Sequence, residues 1–492
     1  MKVAFVSLGC AKNLVNTEQM MALVRSAGHE ITAQPEGADA AVLNTCGFID
    51  SAKSEAIQNI LELAELKKEG KLGKLLVTGC LSQRYQDELM EELPEVDGVM
   101  GTGSYTEIVP ALEELMAGGT PHRFGDIDHT EEDGARIPAT PSYTAYLKIA
   151  EGCDHRCAFC IIPKLRGRYR SRTMESLLAE AKTLADAGVK ELIVIAQDIT
   201  RYGIDLYHKR MLGELLTELC KLPFHWIRLH YLYPDDLDDA LIDVIAREPK
   251  VLNYIDIPLQ HINDGILKRM CRRSTKAEIL ALLAKLRDRL PGLVLRTSLI
   301  CGLPGEGKAE FEELCHFLRE QRIQRAGVFQ FSPEEGTLAA AMEGQVDADT
   351  AARRVELVVD LQSRVMDEYN EERLGTVMEV LCEGFDSAEG CYTGRTYADS
   401  PDIDGRVLFT AAGFLSSGQC SHAFKSVSWE RSSASCTSVV RRNASPYTNL
   451  PYCSIHSSVP KSTLPAAFCC ISFIIRLAAV HGPAIYKPAV IP

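Results

Sequence analysis

Short apolar runs alternate with amphipathic stretches over the first 110 residues of the chain. Three of these runs, at residues 2–8, 40–44 and 74–78, predict strands. Helical periodicity follows two of them, at residues 51–67 and 83–92. Because strands that alternate with helices are typical of α/β proteins, this pattern predicts a doubly wound parallel sheet in an N-terminal domain of residues 1–115.

A second series of strands and helices begins near Tyr143. Its predicted strands lie at residues 145–150, 191–196, 226–232, 252–257, 294–300 and 326–331. Six strands separated by helices predict a partial TIM-like (β/α)6 barrel over residues 142–366. The residues between the two series, 116–141, are rich in Gly, Pro, Asp and Thr and predict a linker.

The pattern changes again after Leu374. Strand-like runs at residues 376–382 and 406–410, broken by Gly and Asp, predict a small C-terminal β-barrel that covers residues 367–414 and is incomplete. Residues 415–492 contain fifteen serines, seven basic residues and one acid, without strand or helix periodicity. We expect this tail to be disordered or aberrant, as a shifted reading frame would make it.

Composition narrows the class of protein. The 492 residues, 46% hydrophobic and 24% charged, are typical of a globular protein, and the start of the chain carries no secretory signal pattern, so we expect a cytoplasmic protein. A net charge of -14 argues against a broad basic face for duplex nucleic acid and favours a basic partner, such as a ribosomal protein. Seventeen cysteines in a reducing compartment indicate metal ligands or buried thiols rather than disulfides.

The strongest chemical signal is the run Cys153, Cys157 and Cys160, which directly follows a predicted strand. Three thiolates on one loop can bind three irons of a 4Fe-4S cluster and leave one iron open. An open iron can chelate the amino and carboxylate groups of S-adenosylmethionine (SAM), which the reduced cluster can cleave to a 5'-deoxyadenosyl radical. The alternatives are a zinc site, for which a fourth ligand at regular spacing is missing, and buried thiols.

A second group, Cys10, Cys46 and Cys80, is spread over the N-terminal domain. Each of these cysteines ends a predicted strand. Because the carboxyl ends of parallel strands lie along one edge of a sheet, the three thiols should converge there and hold another 4Fe-4S cluster. We expect the adjacent glycines to let the backbone approach such a bulky group. The alternative is three small buried side chains.

Polar residues at the predicted strand ends of the barrel indicate a cofactor chamber, since barrel enzymes bind their ligands at that edge. The predicted SAM-binding residues are Phe159, Gln197, Asp198, Arg228, Gln260, Gly302, Gly305 and Glu306. Individually, each could equally be a hydrogen-bonded loop residue. The basic run at residues 164–172 is usually explained by a solvated face, with anion or substrate contact as the alternative.

Taken together, these motifs resemble the methylthiotransferase family of radical SAM enzymes over residues 1–414. The segments at residues 7–13, 151–157 and 256–261 are similar to its RimO branch. The resemblance implies two 4Fe-4S clusters, SAM and a C-terminal TRAM domain. It also implies transfer of a methylthio group to the β-carbon of an aspartate in ribosomal protein S twelve of the small subunit.

The resemblance further implies partners that the sequence does not name: a low-potential electron donor, such as a flavodoxin or ferredoxin, and a sulfur source. One alternative function is methylthiolation of isopentenyladenosine next to the anticodon of transfer RNA by the sister branch. That branch usually has Gly-Cys-Gln-Met-Asn where this chain has Gly-Cys-Ala-Lys-Asn at residues 9–13. Another radical SAM reaction and a non-enzymatic iron-sulfur sensor also remain open.

Overall fold

The structure is a computed structural model that describes residues 1–128, 133–373, 376–411, 415–421 and 437–440. It divides after Leu361 into two compact units. The first contains a parallel sheet near the amino terminus and a second parallel sheet formed by the following residues, whereas the second unit contains a small sheet of mostly antiparallel strands. In the part of the chain that is described, no helix is both long and apolar enough to cross a membrane.

The N-terminal sheet has six parallel strands in the order β2-β1-β3-β4-β5-β6. They are β1 (Lys2–Ser7), β2 (Glu30–Thr32), β3 (Ala38–Thr45), β4 (Leu72–Gly79), β5 (Gly98–Met100) and β6 (His122–Arg123). Four helices connect them: α1 (Ala11–Ser26), α2 (Asp50–Lys68), α3 (Cys80–Glu92) and α4 (Ile108–Met116). The order of the strands reverses between β1 and β3, which is where such sheets open a crevice.

Alternating side chains of this sheet pack against helices on both faces. Val3 and Phe5 of β1 pack against α1 and α4, whereas Ala4 and Val6 face the side covered by α2 and α3. Both layers are apolar, as expected for strands that are buried on two sides. The doubly wound fold predicted for residues 1–115 is therefore confirmed.

The second sheet also has six strands, all parallel, in the order β14-β13-β12-β11-β10-β7. These strands are β7 (Thr144–Lys148), β10 (Glu191–Ile195), β11 (Trp226–Leu229), β12 (Val251–Asp256), β13 (Val294–Cys301) and β14 (Arg325–Gln330). A short antiparallel pair, β8 (Ala150–Glu151) and β9 (Arg170–Ser171), lies outside the sheet. The partial (β/α)6 barrel is confirmed, and each strand begins within one residue of its predicted start.

Helices connect and follow the strands of the barrel sheet, and most of them cover its outer face. They are α5 (Ile162–Arg166), α6 (Met174–Asp186), α7 (Ile204–Tyr207), α8 (Leu212–Leu219), α9 (Asp239–Arg247), α10 (Asp264–Arg269), α11 (Lys276–Arg289), α12 (Lys308–Gln321) and α13 (Ala348–Glu372). On the inner face, Ile193 and Ile195 of β10 pack with Leu14 and Val15 of α1. The N-terminal domain therefore lies against the inside of the barrel.

The second unit contains β15 (Val380–Asp386), β16 (Cys391–Arg395), β17 (Arg406–Phe409), β18 (Cys420–Ser421) and β19 (Thr437–Val440), in the order β18-β15-β16-β17-β19. All neighbours are antiparallel except β17 and β19. Val380, Cys382, Val407 and Phe409 form its core. Strands β18 and β19 lie beyond residue 414, where the sequence pattern predicted the barrel to stop. Residues 422–436 and 441–492 of the predicted tail lie outside the described residues.

Candidate active site

The first cysteine set lies at the carboxyl edge of the N-terminal sheet. Cys10 precedes the first residue of α1, Cys46 follows β3, and Cys80 is the first residue of α3 directly after β4. Because β1, β3 and β4 are neighbours in the sheet, their ends bring the three cysteines together. Cys46 and Cys80 are buried and Cys10 is partly buried. The predicted convergence of these residues is therefore present.

Two glycines allow the strand ends to approach each other this closely. A Cβ atom on Gly9 would lie 2.7 Å from Cβ and 3.1 Å from Sγ of Cys46. A Cβ atom on Gly79 would lie 2.4 Å from the backbone oxygen of Thr45, and both glycines have positive φ angles. The close approach that these glycines permit is therefore between neighbouring strand ends, in addition to any approach to a bound group.

Two buried cations accompany the first set. Lys12 has its Nζ atom 3.6 Å from the centre of the Tyr231 ring, and the Nε atom of Arg166 donates to Cys80 Sγ at 3.4 Å. Burial acts to raise the pKa of Cys10, but Lys12, Arg166 and two backbone N–H groups together hold it below its ordinary value. These charges favour the thiolate, which is the form that binds metals.

The thiolate forms of Cys46 and Cys80 depend more strongly on a bound cation than that of Cys10. Burial raises the pKa of Cys46 well above its ordinary value, and the neighbouring Cys80 and Cys10 add to that effect. Burial also raises the pKa of Cys80, although Arg166 opposes the shift. A metal centre at this place would therefore release protons as it binds, as is usual for cysteine ligands.

The second cysteine set lies on the loop between β8 and α5. The N–H of Cys153 donates to the oxygen of Gly167 at 3.1 Å, and the N–H of Cys160 donates to the oxygen of Cys157 at 3.0 Å, which folds the loop on itself. Burial raises the pKa of Cys153 to about 12, with smaller contributions from Cys157 and Asp198. Burial likewise raises the pKa of Cys160, and the other two thiols add to it.

Aromatic and charged side chains hold this loop in place. The Nε2–H of His155 donates to Oδ2 of Asp198 at 2.7 Å, and the His155 ring stacks on Tyr233 with 3.8 Å between the ring centres. The Nη1 atom of Arg272 lies 3.6 Å from Cys157 Sγ, and the Cζ atom of its guanidinium lies 4.1 Å from the centre of the Tyr233 ring. His155 thus orients the loop through Asp198 instead of serving as a fourth ligand beside the cysteines.

The structure brings several of the predicted cofactor residues to the second set. Gln197 donates to Glu151, two residues before Cys153, and Asp198 contacts His155. Phe159 packs into the apolar cluster that contains Leu303. Gln260 has a positive φ of 69° and a buried Oε1 atom without a hydrogen-bond partner in the described residues.

The loop at residues 302–306 is held by hydrogen bonds to other residues of the protein. Both carboxylate oxygens of Glu306 accept from the N–H of Gly302 at 3.1 Å, and Arg354 donates to Glu306 at 2.8 Å. The N–H of Gly305 donates to the oxygen of Gly344. The amide of Gly302, one of the predicted SAM-binding residues, is thus already bonded to Glu306.

Arg228 lies apart from this group. Its Nε atom donates to Glu191 at 2.7 Å, both side chains are fully buried, and Glu191 is the first residue of β10. The guanidinium therefore points toward the amino ends of the strands, whereas the cysteine loop follows their carboxyl ends. The structure pairs Arg228 with Glu191 and does not bring it to the cysteine loop, so its place in a cofactor chamber stays a prediction.

The explanation of residues 164–172 as a solvated face is wrong for three of its arginines. Arg166, Arg170 and Arg172 are buried, although Lys164 and Arg168 are exposed. Arg172 pairs with Glu180 at 2.6 Å, and Arg170 donates to the oxygen of Arg168 at 2.7 Å. Sequence reasoning missed Arg166 as a site residue because its partners lie up to 153 positions away.

The two cysteine sets adjoin each other. Cys80 of the first set packs in one apolar cluster with Ile161, the residue after Cys160, and with Leu165. Three thiols at each set, with buried cations beside them, suit a cluster that requires anionic sulfur ligands. Three cysteine ligands would leave one iron of a four-iron cluster open at each set.

Three family models match the chain. The uncharacterized protein family UPF0004 matches residues 2–101, the radical SAM superfamily matches residues 147–318, and the TRAM domain matches residues 374–423. The three matches correspond to the two parallel sheets and the C-terminal sheet. The TRAM match also continues past residue 414.

Known relatives cover most of the chain. Ribosomal protein uS12 methylthiotransferase RimO of Lachnoclostridium phytofermentans is 47% identical over 421 residues, which is 85% of this chain and 96% of that protein. The protein of the same name from Caldanaerobacter subterraneus subsp. tengcongensis is 49% identical over 407 residues, or 82% of this chain and 92% of its own length.

A solved structure agrees on the fold. The radical SAM methyltransferase TsrM of Kitasatospora setae, solved with cobalamin and a [4Fe-4S] cluster, superposes with a TM-score of 0.50 at 13% identity. The match covers 69% of this chain and 76% of TsrM, and it supports the architecture alone. With its two cysteine sets, its three family matches and these relatives, the chain belongs to the RimO family of radical SAM methylthiotransferases.

Proposed function

We propose that this protein attaches a methylthio group to the β-carbon of an aspartate in ribosomal protein uS12, using SAM and two 4Fe-4S clusters. The observation that carries the proposal is the adjacency of two three-thiol sets, one on each parallel sheet, at the contact between Cys80 and Ile161. The relatives named for uS12 favour this substrate over the transfer RNA alternative.

Each set would hold three irons of its own cluster. Cys10, Cys46 and Cys80 would bind the first cluster, and Cys153, Cys157 and Cys160 the second. When bound, the second cluster supplies reductive cleavage of SAM and the first supplies a centre for sulfur transfer. A low-potential donor, such as a flavodoxin or ferredoxin, would provide electrons, and a separate sulfur source would replenish the first centre.

The surrounding residues of the protein would orient these groups. His155 and Asp198 hold the second loop against the barrel, and Arg272 places a positive charge 3.6 Å from Cys157. Lys12 and Arg166 offset the negative charge of the first set. Gln260, with its unpartnered buried oxygen, offers a hydrogen-bond acceptor for the amino groups of SAM.

Iron content and SAM cleavage test the assignment of the two sets. Anaerobically reconstituted protein should hold about eight irons, as two four-iron clusters. Changing Cys153, Cys157 and Cys160 together to Ala should remove half of the iron and abolish SAM cleavage. Changing Cys10, Cys46 and Cys80 to Ala should remove the other half but preserve SAM cleavage, because the radical chemistry belongs to the other set.

The control is the cysteine variant Cys315→Ala, since Cys315 lies on helix α12 outside both sets. A full iron load in either triple variant would contradict two separate clusters. Mass spectrometry of uS12 and of bulk transfer RNA, from cells with and without the gene, tests the substrate. A methylthio group that depends on the gene in transfer RNA but not in uS12 would refute the ribosomal assignment.

A further inference from the structure

Arg166 is a buried arginine from the barrel domain whose side chain reaches the first cysteine set. It is the last residue of α5 and is 4% exposed. Its Nη1 atom donates to Oδ1 of Asn16 at 2.7 Å and to Oε2 of Glu151 at 3.1 Å. Its Nε atom donates to Sγ of Cys80 at 3.4 Å. The Nη2 atom donates to the side-chain oxygen of Asn13. One guanidinium therefore uses all three of its nitrogens.

Asn13 extends this contact to the other two strand ends. Its amide nitrogen donates to the oxygens of Leu8 and Thr45, both at 2.9 Å. Leu8 precedes Cys10 by two residues, and Thr45 directly precedes Cys46. Arg166 thus touches the Cys80 sulfur directly and the backbones of the other two cysteine segments through Asn13.

On the other side, Arg166 is connected to the second set through Glu151. This carboxylate also accepts from Lys148 at 2.8 Å and from Gln197, and it lies two residues before Cys153. A different arginine, Arg272, donates to a sulfur of the second set. Each set therefore has its own arginine within hydrogen-bonding reach of one sulfur.

We propose that Arg166 is a positioning residue that raises the reduction potential of the cluster held by Cys10, Cys46 and Cys80. This inference rests on the proposed two-cluster function. Reduction adds negative charge to a cluster, and both an N–H donor to a ligand sulfur and a buried cation stabilise the more negative state. The effect is strong here because the guanidinium and Cys80 are both buried, where charges are weakly screened.

The test uses full-length protein in which Cys153, Cys157 and Cys160 are Ala, so that only the first cluster is present. Its potential is measured by a redox titration monitored by electron paramagnetic resonance, in this protein and with Arg166→Gln or Arg166→Lys added. Arg166→Gln should make reduction at least tenfold less favourable, or about 59 mV for one electron. Arg166→Lys should shift the potential less, because it keeps the charge but loses the planar fork.

The matched control is Arg168→Gln, which removes a neighbouring arginine whose side chain is exposed. It should leave the potential unchanged. A full four-iron load together with equal potentials for Arg166→Gln and Arg168→Gln would overturn the role of Arg166. If Arg166→Gln retains no iron, Arg166→Lys takes its place, and a potential equal to the control then overturns the proposal. Absence of iron from the parent triple variant would instead refute the two-cluster function, and this inference with it.

Discussion

At the scale of single residues, the barrel contains a charged pair that is fully buried. Arg228 and Glu191 lie on neighbouring strands, 2.7 Å apart and without solvent exposure. The guanidinium also lies 4.6 Å from the centre of the Tyr254 ring. Because a buried charge without its partner is costly, each member of the pair depends on the other. This ion pair thus contributes to the stability of the barrel.

The change Glu191→Gln should lower the free energy of unfolding by about 3–5 kcal/mol, because it removes a negative charge that pairs with the buried Arg228. Urea denaturation of the cluster-free protein measures this effect. Below the unfolding midpoint, SAM cleavage by reconstituted protein should persist, since Arg228 lies away from the cysteine loop. Glu214→Gln, at an exposed pair with Lys209, is the control, and equal unfolding midpoints for the two variants would contradict the prediction.

At the scale of secondary structure, Asp97, directly before β5, joins helix α2 and strand β4 of the N-terminal domain. Its carboxylate accepts from Lys67 of α2, from Lys74 of β4 at 3.1 Å and from the N–H of Leu75 at 2.8 Å. Burial acts to raise the pKa of Asp97, but these three partners lower it below its ordinary value. The ionised carboxylate is thus the form that the folded protein stabilises.

The change Asp97→Asn should cost about 1–2 kcal/mol at pH 7, because the amide cannot accept from three donors as a carboxylate does. The folded-state pKa is depressed, so this contribution is complete above the unfolded value and disappears as the pH falls through the folded value. The difference between the two proteins in urea denaturation should therefore shrink from about pH 5 toward pH 3. Glu92→Gln, at an exposed position, controls for surface charge, and a gap independent of pH would refute the assignment.

The elements that the sequence pattern predicted are those with long apolar runs. All six barrel strands and the three central strands of the N-terminal sheet were predicted, because each is buried on two faces. The short strands β2, β5 and β6 were missed, since two or three residues carry too short a pattern. The pairing of Arg228 with Glu191 and the burial of Arg166 depend on residues distant in sequence, which local patterns do not report.

At the scale of the whole first unit, a carboxylate of the barrel joins two helices of the N-terminal domain. Glu334 follows β14, is 2% exposed, and accepts from Lys53 of α2 at 2.9 Å and from Arg84 of α3 at 2.7 Å. Arg84 also donates to the oxygen of Gly47, directly after Cys46, at 3.0 Å. Glu334 therefore stabilises the contact between the domains close to the first cysteine set.

The change Glu334→Gln should weaken this contact by about 2 kcal/mol, because two charged donors lose their carboxylate. Hydrogen exchange measured by mass spectrometry should become faster at residues 46–56 and 80–86, while the barrel strands remain protected. Glu335→Gln removes an exposed carboxylate from the adjacent position and should leave exchange unchanged. Equal exchange in both variants would show that the domains do not depend on this ion pair.

The placement of the six cysteines along the chain sets the order in which the two sets come together during folding. Cys153, Cys157 and Cys160 share one loop, so even a nascent or unfolded chain presents them to any thiophilic ion. Cys10, Cys46 and Cys80 meet only after β1, β3 and β4 have paired in register, which is a slow, non-local step of folding. A cluster at this site would therefore assemble only after these strands have paired, whereas the three loop cysteines could bind iron before the fold is complete.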